Sequence, residues 1–144
     1  MAGDLTQLEP LRAYLLAKTG ATEERPFGPD ALVFKVMGKM FALVAWQAQP
    51  LTISLKCRPH VAEMLRMTYP AVRPGYHMNK RHWNTVTLDG SVPADEVQEM
   101  IDNSCALVVA GLTKAQRALL ASGAGHRLGR VRRDFPEGGG RIIV

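Results

Sequence analysis

The chain is short of the features that most often declare a chemistry. Two cysteines in 144 residues, Cys57 and Cys105, are too few for a disulfide framework and share no close metal-binding spacing. That suits a reducing compartment and predicts two buried thiols. No apolar run approaches the roughly 18–20 residues of a membrane span, and MAGDLTQLEP has neither the basic nor the apolar region of a secretory signal. The expectation is a cytoplasmic protein with no membrane contact. No glycine-rich phosphate loop and no paired-carboxylate constellation is present, so no catalytic residue, no cofactor and no enzymatic activity is assigned. The most telling deficit is of acid: none falls between Glu63 and Asp89.

What fills that gap is cationic and aromatic. Residues 73–88 read RPGYHMNKRHWNTVTL, and from Lys56 to Arg81 six cations face one acid, Glu63, a local balance of +5 that equals the net charge of the whole chain. A second basic patch, five arginines against Asp134 and Glu137, lies in the glycine-rich segment after Ala121. Charge so placed favours an anionic partner and says nothing about fold.

The fold is read from periodicity. Thr6-Gln-Leu-Glu9 has the form of a capping box and starts a helix over about Gln7–Lys18, with Gly20 as its C-terminal cap. The proline-rich stretch ATEERPFGPDA reads as a loop. Strands over Ala31–Met37 and Met40–Trp46 meet at a Gly38-Lys39 turn, a register that sets Val36 opposite Phe41, Phe34 opposite Leu43 and Leu32 opposite Ala45 on the core face. Lys35 and Ala42 then fall on the other face, with Val33, Met40 and Val44. In LTISLK, Leu51, Ile53 and Leu55 alternate with Thr52, Ser54 and Lys56, a half-buried strand. Pro59 opens a helix to about Thr68 whose stripe is Val61, Met64, Leu65 and Thr68, with Glu63 and Arg66 pointing away. A fourth strand spans Trp83–Leu88, with Trp83 and Val86 serving the core. Pro93 opens a helix to about Ala110 with Val97, Met100, Ile101, Ser104 and Val108 inside, and Thr113 caps a last helix, Lys114–Ala121. Residues 1–121 make one domain, and 122–144 a basic Gly/Arg-rich tail in which Arg141–Val144 has the make-up of a short docking strand.

The blocks ATEERPFGPDALVFKVMGKMFALV, LTISLKC, TYPAVRPGYHMNKRHWNTVTLDGSVP and MIDNSCALVVAGL, in that order, resemble the MmcQ/YjbR family, with a match from the first helix to about Leu120. The resemblance implies an α/β (α+β) two-layer domain, an antiparallel sheet packed against helices in the manner of secretion chaperones, without established enzymatic activity. It also implies a DNA-binding "double wing". The tail after Ala121 departs from the family's compact ending, and no family role is carried onto it.

Three functional classes follow. Nucleic-acid binding rests on Lys56, Arg58, Arg73, Lys80 and Arg81 for phosphates, with Tyr76, His77, His82 and Trp83 offering flat faces and Asn79 and Asn84 hydrogen bonds. The alternative is an acidic protein or a small anionic ligand received by the same block. A metal site drawn from Cys57, His60, His77 and His82 has suggestive spacing and nothing more, so none is assigned. The PFGPD loop reads as a turn positioned by two prolines with Asp30 bonding its own backbone; the functional alternative sets Arg25, Phe27 and Asp30 as one rim of a pocket facing the Tyr76–Trp83 block. Oligomeric state is not legible in the sequence.

Overall fold

The computed structural model describes residues 4–75 and 78–122. Along the chain run α1 (Leu8–Leu16), β1 (Ala21–Glu24), β2 (Leu32–Val36), β3 (Lys39–Ala45), β4 (Thr52–Lys56), α2 (Pro59–Thr68), β5 (Val72–Pro74), β6 (Trp83–Thr87), α3 (Ala94–Ala110) and α4 (Lys114–Ser122). The strands form one sheet in the order β1-β2-β3-β4-β6-β5, every pair antiparallel. One face carries Leu32, Phe34, Val36, Ala42, Val44, Ile53, Leu55, Val72 and Val86, all buried in a single cluster with Leu11 and Leu15 of α1 and Val97, Ile101, Cys105 and Val108 of α3. Each such aliphatic side chain removed from water is worth about 1.5–3 kcal/mol. The result is the two-layer α+β architecture that the periodicity and the family resemblance both anticipate.

The α3 stripe and Thr113 cap agree with the sequence reading, as do Ile53 and Leu55 on the core side of β4, but Ser54, expected on a half-buried strand's polar face, is buried beside Thr85. Thr113 and Gln116 cap each other: the Gln116 N–H donates to Thr113 Oγ1 at 3.0 Å and the Thr113 N–H to Gln116 Oε1 at 2.9 Å. Elsewhere the structure corrects it. Gln7, not Thr6, is the N-cap of α1 and makes no side-chain cap bond; Thr6 is engaged by Asp4 Oδ1 instead. Gly20, at φ 76°, takes the turn after the helix, where a Cβ would collide with the Leu120 side chain. ATEE, read as loop, is β1, and a further strand, β5, precedes β6. Both additions are edge strands, short and next to prolines, which is where strand signals are weakest.

The β2–β3 hairpin turns on Met37 and Gly38, both at positive φ, so Val36 pairs with Lys39 and Lys35 with Met40. The register then shifts: Phe34 pairs with Ala42 and Leu32 with Val44, leaving Phe41 as the extra residue of a β-bulge. This slip reverses the faces of β3, so Ala42 and Val44 are core and Leu43 and Ala45 are not. On α2 the fully buried residue is Ala62, while Met64 and Thr68 are exposed. Trp83 alternates with Asn84 and Val86 and therefore stands on the face away from the helices, whereas Val86 is core.

The bulge interrupts the β3–β4 ladder beyond the Ala42–Leu55 pair. Ser104, fully buried on α3, closes the gap: its hydroxyl donates to the Phe41 carbonyl at 2.6 Å and accepts the Lys56 N–H at 2.8 Å. Ser104→Ala leaves a buried carbonyl and a part-buried N–H unpaired and is expected to cost about 1–3 kcal/mol, read as a lower urea midpoint with an unchanged m-value.

Candidate nucleic-acid interface

The cations gather where β4 ends and β6 begins. Lys56 registers with Trp83, and the ladder runs on through the Cys57 N–H donating to the His82 carbonyl at 2.7 Å. Arg58 and Arg81 are the next residues outward on either side of that bridge, with Lys80 beside Arg81. Arg58, Lys80 and Arg81 are exposed and Lys56 is half-buried. None of the four forms a salt bridge with a described acid. The described acids that do form ion pairs do so elsewhere: Glu9 and Glu23 with Arg12, Glu24 with Lys35, and Asp102 with Lys18. Those pairs draw on α1, β1, β2 and α3. Glu63, the one acid within the basic segment, makes no ion pair among the described residues.

The loop that presents Lys80 and Arg81 is pinned by uncharged groups. Asn79 Oδ1 accepts the Arg81 N–H at 3.0 Å, and the Asn79 carbonyl accepts the His82 N–H at 3.1 Å. Arg66, expected to point into solvent, instead spans from α2: its Nε donates to Asn84 Oδ1 at 2.7 Å, and its Nη2 to the carbonyls of Lys80 and Trp83. Asn84, buried, donates in turn to the Ala62 carbonyl at 3.2 Å. Arg66 thus holds the loop through carbonyl and amide oxygens and keeps its own charge unneutralised. The signal for it was available as spacing, since Ala62 and Arg66 lie one helical turn apart and both meet Asn84.

Arg73 stands on the same outer face, opposite Thr85, but its Nη1 donates to Thr87 Oγ1 at 2.6 Å, reaching along the sheet away from Lys56. His82 is half-buried with both backbone groups engaged. Tyr76 and His77 lie outside the described residues, as does the whole segment from residue 123, Arg141–Val144 included. The suggested rim does not form: Arg25 lies over the Trp46 ring, and β1 is four strand spacings from β6, about 19 Å.

Among the described residues no three His, Cys, Asp or Glu side chains converge as a metal site, and no helix is long and apolar enough to cross a membrane. Cys57 is half-buried rather than buried; burial pushes its thiol up, while the nearby Arg66 charge pulls it down. Burial pushes Cys105 from 9.0 to about 12, with Lys18 opposing.

Two outcomes are expected. Arg66→Ala strips donors from Asn84 and two loop carbonyls, lowering stability by about 1–3 kcal/mol and increasing amide exchange at residues 80–83. For Cys105 the unfolded thiol ionises first as pH rises, so stability holds below pH 9 and declines toward pH 12, by about 1.4 kcal/mol per unit from this group. Denaturant midpoints in that window should fall less steeply for Cys105→Ala.

Comparison with known proteins places this geometry. Residues 16–107 match the family model described as YjbR, a span that includes the whole sheet and most of α3. The chain is 37% identical over 113 residues to the uncharacterized protein YjbR of Escherichia coli, covering 78% of this chain and 96% of that one. It is also 37% identical over 98 residues to the uncharacterized protein YbdF, again from Escherichia coli, covering 68% and 80%. A crystal structure of the Deinococcus radiodurans protein DR2400 superposes with a TM-score of 0.79 at 40% identity, over 84% of this chain and 92% of that one. A Pseudomonas syringae protein gives a TM-score of 0.59 at 30% identity, over 68% and 95%. With a family model spanning most of the chain and relatives this similar along nearly their full lengths, the protein belongs to the YjbR family.

Proposed function

We propose that this protein binds DNA without catalysing a reaction on it, through phosphate contacts from Lys56, Arg58, Lys80 and Arg81, with Arg73 on the flank. One observation carries the reading. Four cations free of described carboxylates share one corner of the sheet, on backbone already fixed by the Cys57–His82 bridge, the Asn79 turn and the Arg66 clamp. Holding the backbone before binding removes part of the ordering cost that a mobile basic loop incurs. Arg66 adds a nearby positive charge and is itself too occupied to contact a phosphate. Both cysteines are biased toward the neutral thiol, which supports leaving nucleophilic chemistry out. An acidic protein or a small anionic ligand would meet the same cations, and the choice of competitor separates these cases.

The test is a salt-titrated binding measurement on the full chain with duplex DNA, single-stranded DNA and heparin. Duplex affinity should fall steeply with salt, and Lys80→Ala combined with Arg81→Ala should weaken binding and reduce the log–log salt slope by about 2, one unit for each phosphate that is no longer neutralised. Wild-type affinity in the double variant would sink the assignment. Equal affinity for all three polyanions would reduce it to charge without nucleic-acid recognition.

A further inference from the structure

The two tryptophans are in opposite circumstances. Trp46 packs against the core, donates its Nε1 to the Pro29 carbonyl at 2.7 Å and has the Arg25 guanidinium 5.5 Å from its ring centroid. Its ring and its N–H are both engaged. Trp83 stands half-buried on the outer face and is not among the residues packed on the core cluster. Among the described residues its indole N–H meets no acceptor, and no cation sits over its ring. A half-buried indole ordinarily satisfies its N–H, so Trp83 has the make-up of a contact residue rather than a core anchor.

Its surroundings narrow the partner. Across the ladder stands Lys56. On the β5 side stands Gly75, whose N–H donates to the Trp83 carbonyl at 2.9 Å and where a Cβ would come within 2.9 Å of the Trp83 Cβ. Gly75, itself buried, contributes no side chain on that flank. Two residues along the same face, Thr85 and Ser54 bond each other through their hydroxyls at 2.8 Å and are buried, so the exposed surface around the indole ends at Trp83 and Lys56 along these two strands. Arg58, Lys80 and Arg81 lie just beyond the Lys56–Trp83 pair. A part-exposed aromatic ring set among cations complements a nucleobase bearing its own phosphate. A duplex buries its base faces in the stack and cannot offer one, whereas a single strand can.

The geometry points to single-stranded nucleic acid as the preferred ligand, with one base stacked on Trp83 and the flanking phosphates on Lys56, Arg58, Lys80 and Arg81. This inference rests on the proposed polyanion reading and assigns the strandedness that the cations alone leave open.

The experiment uses the full chain with oligothymidylate, a duplex of equal length, and heparin. A Trp46→Phe variant leaves Trp83 as the single tryptophan, and its fluorescence should be quenched by oligothymidylate and unchanged by heparin. Trp83→Leu should weaken oligothymidylate binding roughly 5- to 150-fold with an unaltered salt slope and no change for the duplex. Trp83→Phe should retain most of the affinity and also shows that the site tolerates substitution. Unchanged oligothymidylate affinity in Trp83→Leu, or equal losses for single strand and duplex, overturns the stacking inference and leaves the phosphate reading standing. Wild-type binding of every probe by the Lys80→Ala, Arg81→Ala protein overturns the phosphate reading itself.

Discussion

A single hydroxyl on α3 decides where the sheet stops pairing. The β-bulge at Phe41 pulls β3 out of step with β4, which would strand one carbonyl and one N–H in the interior. Ser104 answers both with one oxygen. That contact also fixes α3 against the sheet, because a helix carrying its bond partner at one position cannot slide without losing two hydrogen bonds. Beyond the gap β4 is released from β3 and continues beside β6 alone, through Cys57 and His82. The basic corner lies where the released strand leaves the sheet.

Charge is distributed by the same plan. The acids that find partners do so through α1, β1, β2 and α3, so they are spent near one edge of the sheet. The unpaired cations of the basic segment stand toward the other edge. Arg66 is the exception that organises the rest: a guanidinium bonded to oxygens without formal charge holds a loop in place and still contributes its field, which is felt at Cys57. Stability and surface potential are thus served by one side chain, with no carboxylate introduced into the basic region.

Much of the fold was legible in the sequence because burial enforces period. The α3 stripe and the placement of Ile53 and Leu55 follow from contact with the core, and the Thr113 cap follows from local hydrogen bonding with Gln116. The edge strands were not, since three or four residues beside prolines carry too little pattern to separate from loop. The bulge was invisible for a different reason. Phe41 and Ala42 are consecutive and both buried, and a strict period of two has no place for that, so the register slipped and the faces of β3 came out reversed. Trp83 was misplaced because its size suggested core, although counting back from buried Val86 sets it on the opposite face. Arg66 was missed because a cation on a helix is usually solvated. The basic corner itself was readable from the run of sequence without acid, but its division into a phosphate-facing group and an internal clamp needed the fold.

The edge strand β5 bears on what the molecule cannot easily do. Gly75 gives its N–H to β6, and the Ala71 carbonyl receives one from it, so by the alternation of an antiparallel ladder the outward-facing amides are those of Val72 and Pro74. Val72 donates to the Tyr69 carbonyl at 3.0 Å, and proline has no N–H to give. This margin offers an arriving strand no donor on either residue. Lateral growth of the sheet into a neighbouring copy is therefore blocked on this side by two local features of the backbone.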